Sequence, residues 1–193
     1  GNGAGSRFGA QHSQSVENWC MMIPGLKVVA PSTPLDVIGL LAAAVRDPDP
    51  VIFLEHKSLY ATKGEVPDGE ILDTLGTAKI VRPGKDATIL ALALMVPRAL
   101  EAAERLKAEH GIDVEVIDVR SLVPLDTQTI LASVWRTHRL FTVEENPRLC
   151  GWGADKANPY ELYRSSYVDS SQRGNPPLAK DKQPACWAYD PSV

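Results

Sequence analysis

The chain has 193 residues, 44% of them hydrophobic, and a formal net charge of −4 at neutral pH. That apolar content suits a packed core of one or two domains and excludes a disordered chain. The slight acidic excess excludes a surface built to neutralise phosphates, so neither nucleic acid nor an anionic membrane is an expected partner.

Residues 1–11 are glycine-rich, but Gly1-Asn2-Gly3-Ala4-Gly5 is no phosphate loop, because no Gly-Lys-Ser/Thr follows it. Val16, Trp19, Cys20 and Ile23 recur at helical spacing and predict a short helix with one buried face, ended by Pro24-Gly25. Residues 26–30 read as a strand. Thr33 then offers an N-cap, Pro34 suits the first helical position and Asp36 the first turn. Val37, Ile38, Leu41, Ala44 and Val45 form the apolar stripe of that helix, and Asp47-Pro48-Asp49-Pro50 stops it. Residues 51–54 are apolar throughout, as a buried parallel strand is.

Residues 55–74 read as a loop. Strands follow over 77–81 and 87–92, then a helix with Val96, Ala99, Leu100, Ala103 and Leu106 on one face and Gly111 as its left-handed cap. Residues 114–119 form a strand, Asp126 or Thr127 caps a helix through Arg136, and residues 140–143 form a last strand. This alternation predicts an α/β fold, an open parallel sheet with helices on both faces. Residues 156–193, interrupted by five prolines, carry neither periodicity and read as a disordered tail. Cys20, Cys150 and Cys186 lack zinc spacing and read as reduced thiols.

Four histidines invite comparison. His12 precedes the first predicted helix, where the positive end of the dipole favours neutral imidazole. Ser13 and Gln14 could orient its ring, and Ser13 or Ser15 could instead cap the helix. His56 lies just past a strand, in Glu55-His56-Lys57, and reads first as structural. His110 and His138 read as solvent-facing. Asp118 and Arg120 read as a structural pair.

Several strings stand in a telling order: Gly9-Ala10-Gln11-His12-Ser13-Gln14-Ser15, Pro24-Gly25-Leu26-Lys27-Val28-Val29, Pro31-Ser32-Thr33-Pro34, and Arg46-Asp47-Pro48-Asp49-Pro50 running into Val51-Ile52-Phe53-Leu54-Glu55-His56-Lys57. Lys63-Gly64-Glu65-Val66-Pro67, then Val116-Ile117-Asp118-Val119-Arg120-Ser121-Leu122-Val123-Pro124-Leu125-Asp126, then Gly151-Trp152-Gly153-Ala154 continue it. Together they resemble the beta subunit of the pyruvate, acetoin and branched-chain 2-oxo acid dehydrogenases.

The resemblance implies a transketolase-like architecture. Residues 1–72 would be the second half of a pyrimidine-binding domain, 73–155 an incomplete C-terminal domain, and 156–193 a divergent tail. It implies thiamine diphosphate with magnesium, shared with an alpha subunit. It also implies a second beta subunit in an alpha2-beta2 tetramer and a lipoyl-bearing acyltransferase core as acceptor. The cofactor accepts the electrons released on decarboxylation, and the protein supplies position and proton transfer. His12 matches the family's active-site histidine, a group suited to proton transfer near neutrality. Ala44, Val45, Asp47 and Asp49 match a turn that can hold a structural potassium ion.

The glutamate that activates the cofactor lies upstream in the family, and no residue here takes that part. Cofactor-binding residues are therefore expected upstream and on the alpha subunit. The isolated chain is expected to be inactive and marginally stable. Two alternatives remain: a non-catalytic subunit-association module, and another transketolase-like enzyme such as 1-deoxyxylulose-5-phosphate synthase. The bacterial cytoplasm is the first expected location and the mitochondrial matrix the second.

Overall fold

The structure, a computed structural model, describes residues 1–4, 8–146 and 151–153. The expected tail over 156–193 lies outside the described residues. Two short helices come first, α1 (Gly9–His12) and α2 (Glu17–Met21), followed by β1 (Lys27–Val29), α3 (Pro34–Arg46) and β2 (Val51–Phe53). Thr33 Oγ1 accepts from the Asp36 amide at 3.1 Å, Pro34 opens α3, and Asp47 turns extended ahead of Pro48. The start and stop signals of α3 act as read. β1 and β2 then pair in parallel, Lys27 opposite Val51.

After a 3-10 turn at Lys57–Leu59 come β3 (Lys79–Arg82), β4 (Ala87–Ala91), α4 (Met95–His110), β5 (Val114–Asp118), β6 (Ser121–Val123), α5 (Thr127–Thr137) and β7 (Leu140–Val143). Four of these strands form a sheet in the order β3-β5-β4-β7. Alternation along β4 assigns its two faces. Ala87, Ile89 and Ala91 pack with Val96, Ala99 and Ala103 of α4. Leu90 instead packs with Ile130 and Val134 of α5. Helices on both faces are thus present. The sheet itself is mixed rather than wholly parallel: β4 runs parallel to β5 and β7, but β3 pairs antiparallel with β5. The short link at residues 83–86 cannot hold the crossover that a parallel return needs, so β3 runs opposite to β4.

The second departure is β6. Arg120 adopts φ 55°, ending β5 and turning the chain. Ser121–Val123 then pairs antiparallel with β1, giving a three-stranded sheet β2-β1-β6. The Ala30 amide donates to the Arg120 carbonyl at 2.8 Å beside it. One hydrophobic core accordingly takes side chains from both sheets: Val28, Ala30 and Leu54 with Leu90, Ile117, Leu122, Ile130, Val134 and Trp152.

Two predicted faces point elsewhere. In α3 the buried residues are Asp36, Gly39 and Leu40, whereas Ile38, Leu41 and Val45 are exposed. The helix is apolar nearly all round, so its stripe does not reveal which side meets the core. In the α2 region Val16, Cys20 and Met21 reach the core, but Trp19 and Ile23 are exposed. α2 ends at Met21, so helical spacing does not extend to Ile23. Among the described residues no helix is long and apolar enough to cross a membrane.

Candidate active site at His12 and the strand ends

The segment bearing His12 hangs on Asn2 and Gly3. Asn2 lies beside the extension of β2: its amide donates to the Glu55 carbonyl at 2.7 Å, and its carbonyl accepts from the Lys57 amide at 3.0 Å. The Gly3 amide donates to the Gln14 carbonyl at 3.0 Å, and Asn2 Oδ1 accepts from the Val16 amide at 3.0 Å. Asn2 Nδ2 donates to Glu17 Oε1 at 2.6 Å, and Asn146, in the loop after β7, donates to Glu17 Oε2 at 2.9 Å. Asn2 and Glu17 are both buried. No local pattern announces this frame, because its members lie far apart in sequence.

His56 belongs to the same frame. It is buried, its Nδ1 accepts from the Ser58 amide at 3.2 Å, and its Nε2 contacts Glu145 Oε2 at 2.5 Å. An accepting Nδ1 leaves the proton on Nε2, where Glu145 accepts it. A Cβ on Gly3 would stand 2.1 Å from that Nε2, and Gly3 has φ +97°, so only glycine fits. The structural reading of His56 describes what the ring does here. Glu144 faces the other way: Oε1 accepts from the Gly153 amide at 3.0 Å, and burial raises its carboxyl above the ordinary range. A Cβ on Gly151 or Gly153 would collide with Glu144 at 2.1 or 2.6 Å, which accounts for the glycines flanking buried Trp152.

His12 itself is exposed, and it closes α1 rather than standing immediately before α2. It therefore sits at the C-terminal end of a single turn. Its expected neighbours are also engaged differently. Gln14 Nε2 donates to the Ala10 carbonyl at 3.0 Å. Ser13 and Ser15 cap no helix: the N-cap of α2 is Val16, without a side-chain bond, and both hydroxyls are buried without a partner. His110 and His138 are exposed, as read.

A pocket of about 330 Å³ opens where β1 and β2 end, lined by Ser32, Thr33, Glu55, His56, Leu59 and Tyr60 among others. Carboxyl ends of parallel strands are where open α/β sheets gather ligands. Behind it, Ser32 Oγ donates to Asp118 Oδ2, and Asp118 Oδ1 accepts from the Arg120 amide at 3.1 Å. Burial pushes the Asp118 carboxyl up to about 7, reinforced by the Asp36 charge. Asp118 and Arg120 do pair, through the Arg120 amide rather than its guanidinium. The guanidinium reaches Asp36 of α3 at 3.2 Å, Asp73, and the Thr77 carbonyl at 2.8 Å. From the left-handed turn at Arg120 the side chain reaches across to the first sheet's helix.

At the turn after α3, the Ala44 carbonyl accepts from the Asp47 amide at 3.3 Å, and Lys27 Nζ bridges Asp47 at 2.6 Å and Asp49 at 3.1 Å. An ammonium therefore already neutralises the carboxylates at this turn.

Residues 1–63 match the transketolase pyrimidine-binding domain and residues 76–159 the transketolase C-terminal domain. The chain is 54% identical over 153 residues to the beta subunit of acetoin:2,6-dichlorophenolindophenol oxidoreductase of Cupriavidus necator, covering 79% of this chain and 45% of that protein. It is 53% identical over 149 residues to the mitochondrial pyruvate dehydrogenase E1 component subunit beta-1 of Arabidopsis thaliana, covering 75% and 40%. Among solved structures it resembles a split-gene transketolase described as an inactive beta4 tetramer, with TM-score 0.66, 30% identity, and 80% of this chain and 50% of that one covered. The chain spans less than half the length of these curated relatives. It belongs, as a partial chain, to the transketolase-like beta subunits of the pyruvate and acetoin dehydrogenases.

Proposed function

We propose that this chain forms part of the beta subunit of a thiamine-diphosphate-dependent 2-oxo acid dehydrogenase, in which His12 passes a proton as an acyl group moves to a lipoyl acceptor. The observation that carries the reading is an exposed imidazole held on a turn tethered to a buried polar frame. Such a group can meet a substrate from outside without losing its position. Pyruvate and acetoin are the substrates the relatives' names suggest.

The family implies thiamine diphosphate. Its magnesium–diphosphate end does not fit the described residues. The pocket lining includes no lysine or arginine, and no cluster of three His, Cys, Asp or Glu stands ready for a metal among the described residues. That end belongs on an alpha subunit in this reading. A potassium ion at the turn of Ala44, Val45, Asp47 and Asp49 would rest on backbone carbonyls, since Lys27 engages both carboxylates. Residues 1–72 would serve the pyrimidine-binding domain and residues from 73 onward the C-terminal domain. The exposed apolar face of α3, with Trp19 and Met22 nearby in sequence, suits burial against the alpha subunit or a second beta subunit.

The test assembles the full-length protein containing this chain with its alpha subunit and supplies pyruvate or acetoin with a lipoyl acceptor. Acylation that depends on thiamine diphosphate supports the reading. The same exposed apolar face favours one rival, a non-catalytic association module, which would bind the alpha subunit and show no turnover with either substrate.

A further inference from the structure

The buried frame behind His12 does more than fill space. Glu17 carries two acceptor oxygens, and each takes one amide donor: Asn2 Nδ2 at 2.6 Å and Asn146 Nδ2 at 2.9 Å. A carboxylate cannot donate, so it fixes which way the Asn2 amide points. With Nδ2 held by Glu17, Oδ1 must face the Val16 amide, which it meets at 3.0 Å. The Gly3–Gln14 bond holds the same segment two residues earlier. The main chain just after His12 is therefore pinned at two points, and the polarity of one pin is dictated by Glu17. Asn146 brings in the loop after β7, so the second sheet braces the same carboxylate.

We infer that Asn2, Glu17 and Asn146 are positioning residues for His12, with Glu17 setting the direction of the hydrogen-bond chain. The inference rests on the catalytic reading of His12. None of the three reaches the reacting atoms; they act through the backbone of residues 14–16.

The direction of the chain makes the inference testable by reversal. Glu17→Gln keeps one acceptor and substitutes a donor, so Asn2 or Asn146 loses its partner. Asn2→Asp sets two carboxylates against each other. In the double variant the carboxylate at position 2 accepts from Val16 and from the new glutamine amide, and the glutamine oxygen accepts from Asn146, restoring every bond with only the one between positions 2 and 17 reversed.

The assay uses the full-length alpha–beta assembly. Each single variant is expected to lower kcat for lipoyl acylation by roughly 10- to 100-fold, the scale of a misplaced catalytic group, with KM for the 2-oxo acid unchanged. Hydrogen exchange at the Val16 amide is expected to accelerate in both. The double variant recovers the rate and the slow exchange. In a His12→Ala background, Glu17→Gln is expected to cause no further loss, because a positioning residue has nothing left to position. If His12→Ala slows acylation but Glu17→Gln slows it further by its full factor, or leaves Val16 exchange unchanged, the positioning role is overturned and the function stands. If His12→Ala leaves the rate intact, the function itself is overturned and the positioning role with it.

Discussion

Asp118 is fully buried, and its carboxyl is held at about 7 against 3.8 for a free aspartate, chiefly by burial. A folded state that keeps this proton is favoured fully below 3.8, and that advantage fades as pH rises through about 7. Above 7 the buried carboxylate costs the fold about 4 kcal/mol. Asp118→Asn removes the ionisation and keeps the contacts: the amide oxygen can accept from Arg120 and the amide nitrogen can donate to Ser32. Urea unfolding followed by tryptophan fluorescence, to which buried Trp152 contributes, at pH 5 and pH 8.5 reads the effect. The variant should gain on the native chain as pH rises, by a few kcal/mol across the interval. A difference in stability that is the same at both pH values would refute a burial-raised carboxyl at this position.

Arg120→Met leaves Asp36 buried without its cation and the Thr77 carbonyl without its donor. Unfolding in urea should show a loss of roughly 3–5 kcal/mol, and a loss below about 1 kcal/mol would mean the guanidinium does not tie α3 to the second sheet. Gly3→Ala forces a methyl to 2.1 Å from His56 Nε2 at φ +97°. Gly9→Ala, at φ +75° with open space around it, meets strain alone. The first should cost at least ~2 kcal/mol and the second about 1 kcal/mol by thermal unfolding; equal costs would argue against the tight fit of His56.

Much of the fold was legible because its signals are local. Thr33, Pro34 and Pro48 bound α3, Gly111 ends α4 in the left-handed conformation, and Asp126 caps α5 by accepting from the Thr129 amide. What escaped was set by partners far away. Nothing in Ser121-Leu122-Val123 says that it pairs with β1, because the turn at Arg120 that sends it there is a left-handed conformation at a non-glycine residue. The burial of α3 was misread because a helix apolar on every side hides its core face. His12 was legible as a residue through its family string, yet its place at the end of α1 was not, since a single turn leaves too few residues for a periodic signal. The frame of Asn2, Glu17 and Asn146 was invisible for a simpler reason: hydrogen bonds between distant polar side chains leave no spacing to read.

The proposed function turns on His12 moving a proton during acyl transfer. A single-turnover measurement of lipoyl acylation, comparing His12→Ala with the native full-length alpha–beta assembly, tests it most directly. A slowing of roughly 10²- to 10⁴-fold in that step is expected, with assembly and 2-oxo acid binding retained. An unchanged single-turnover rate would contradict it.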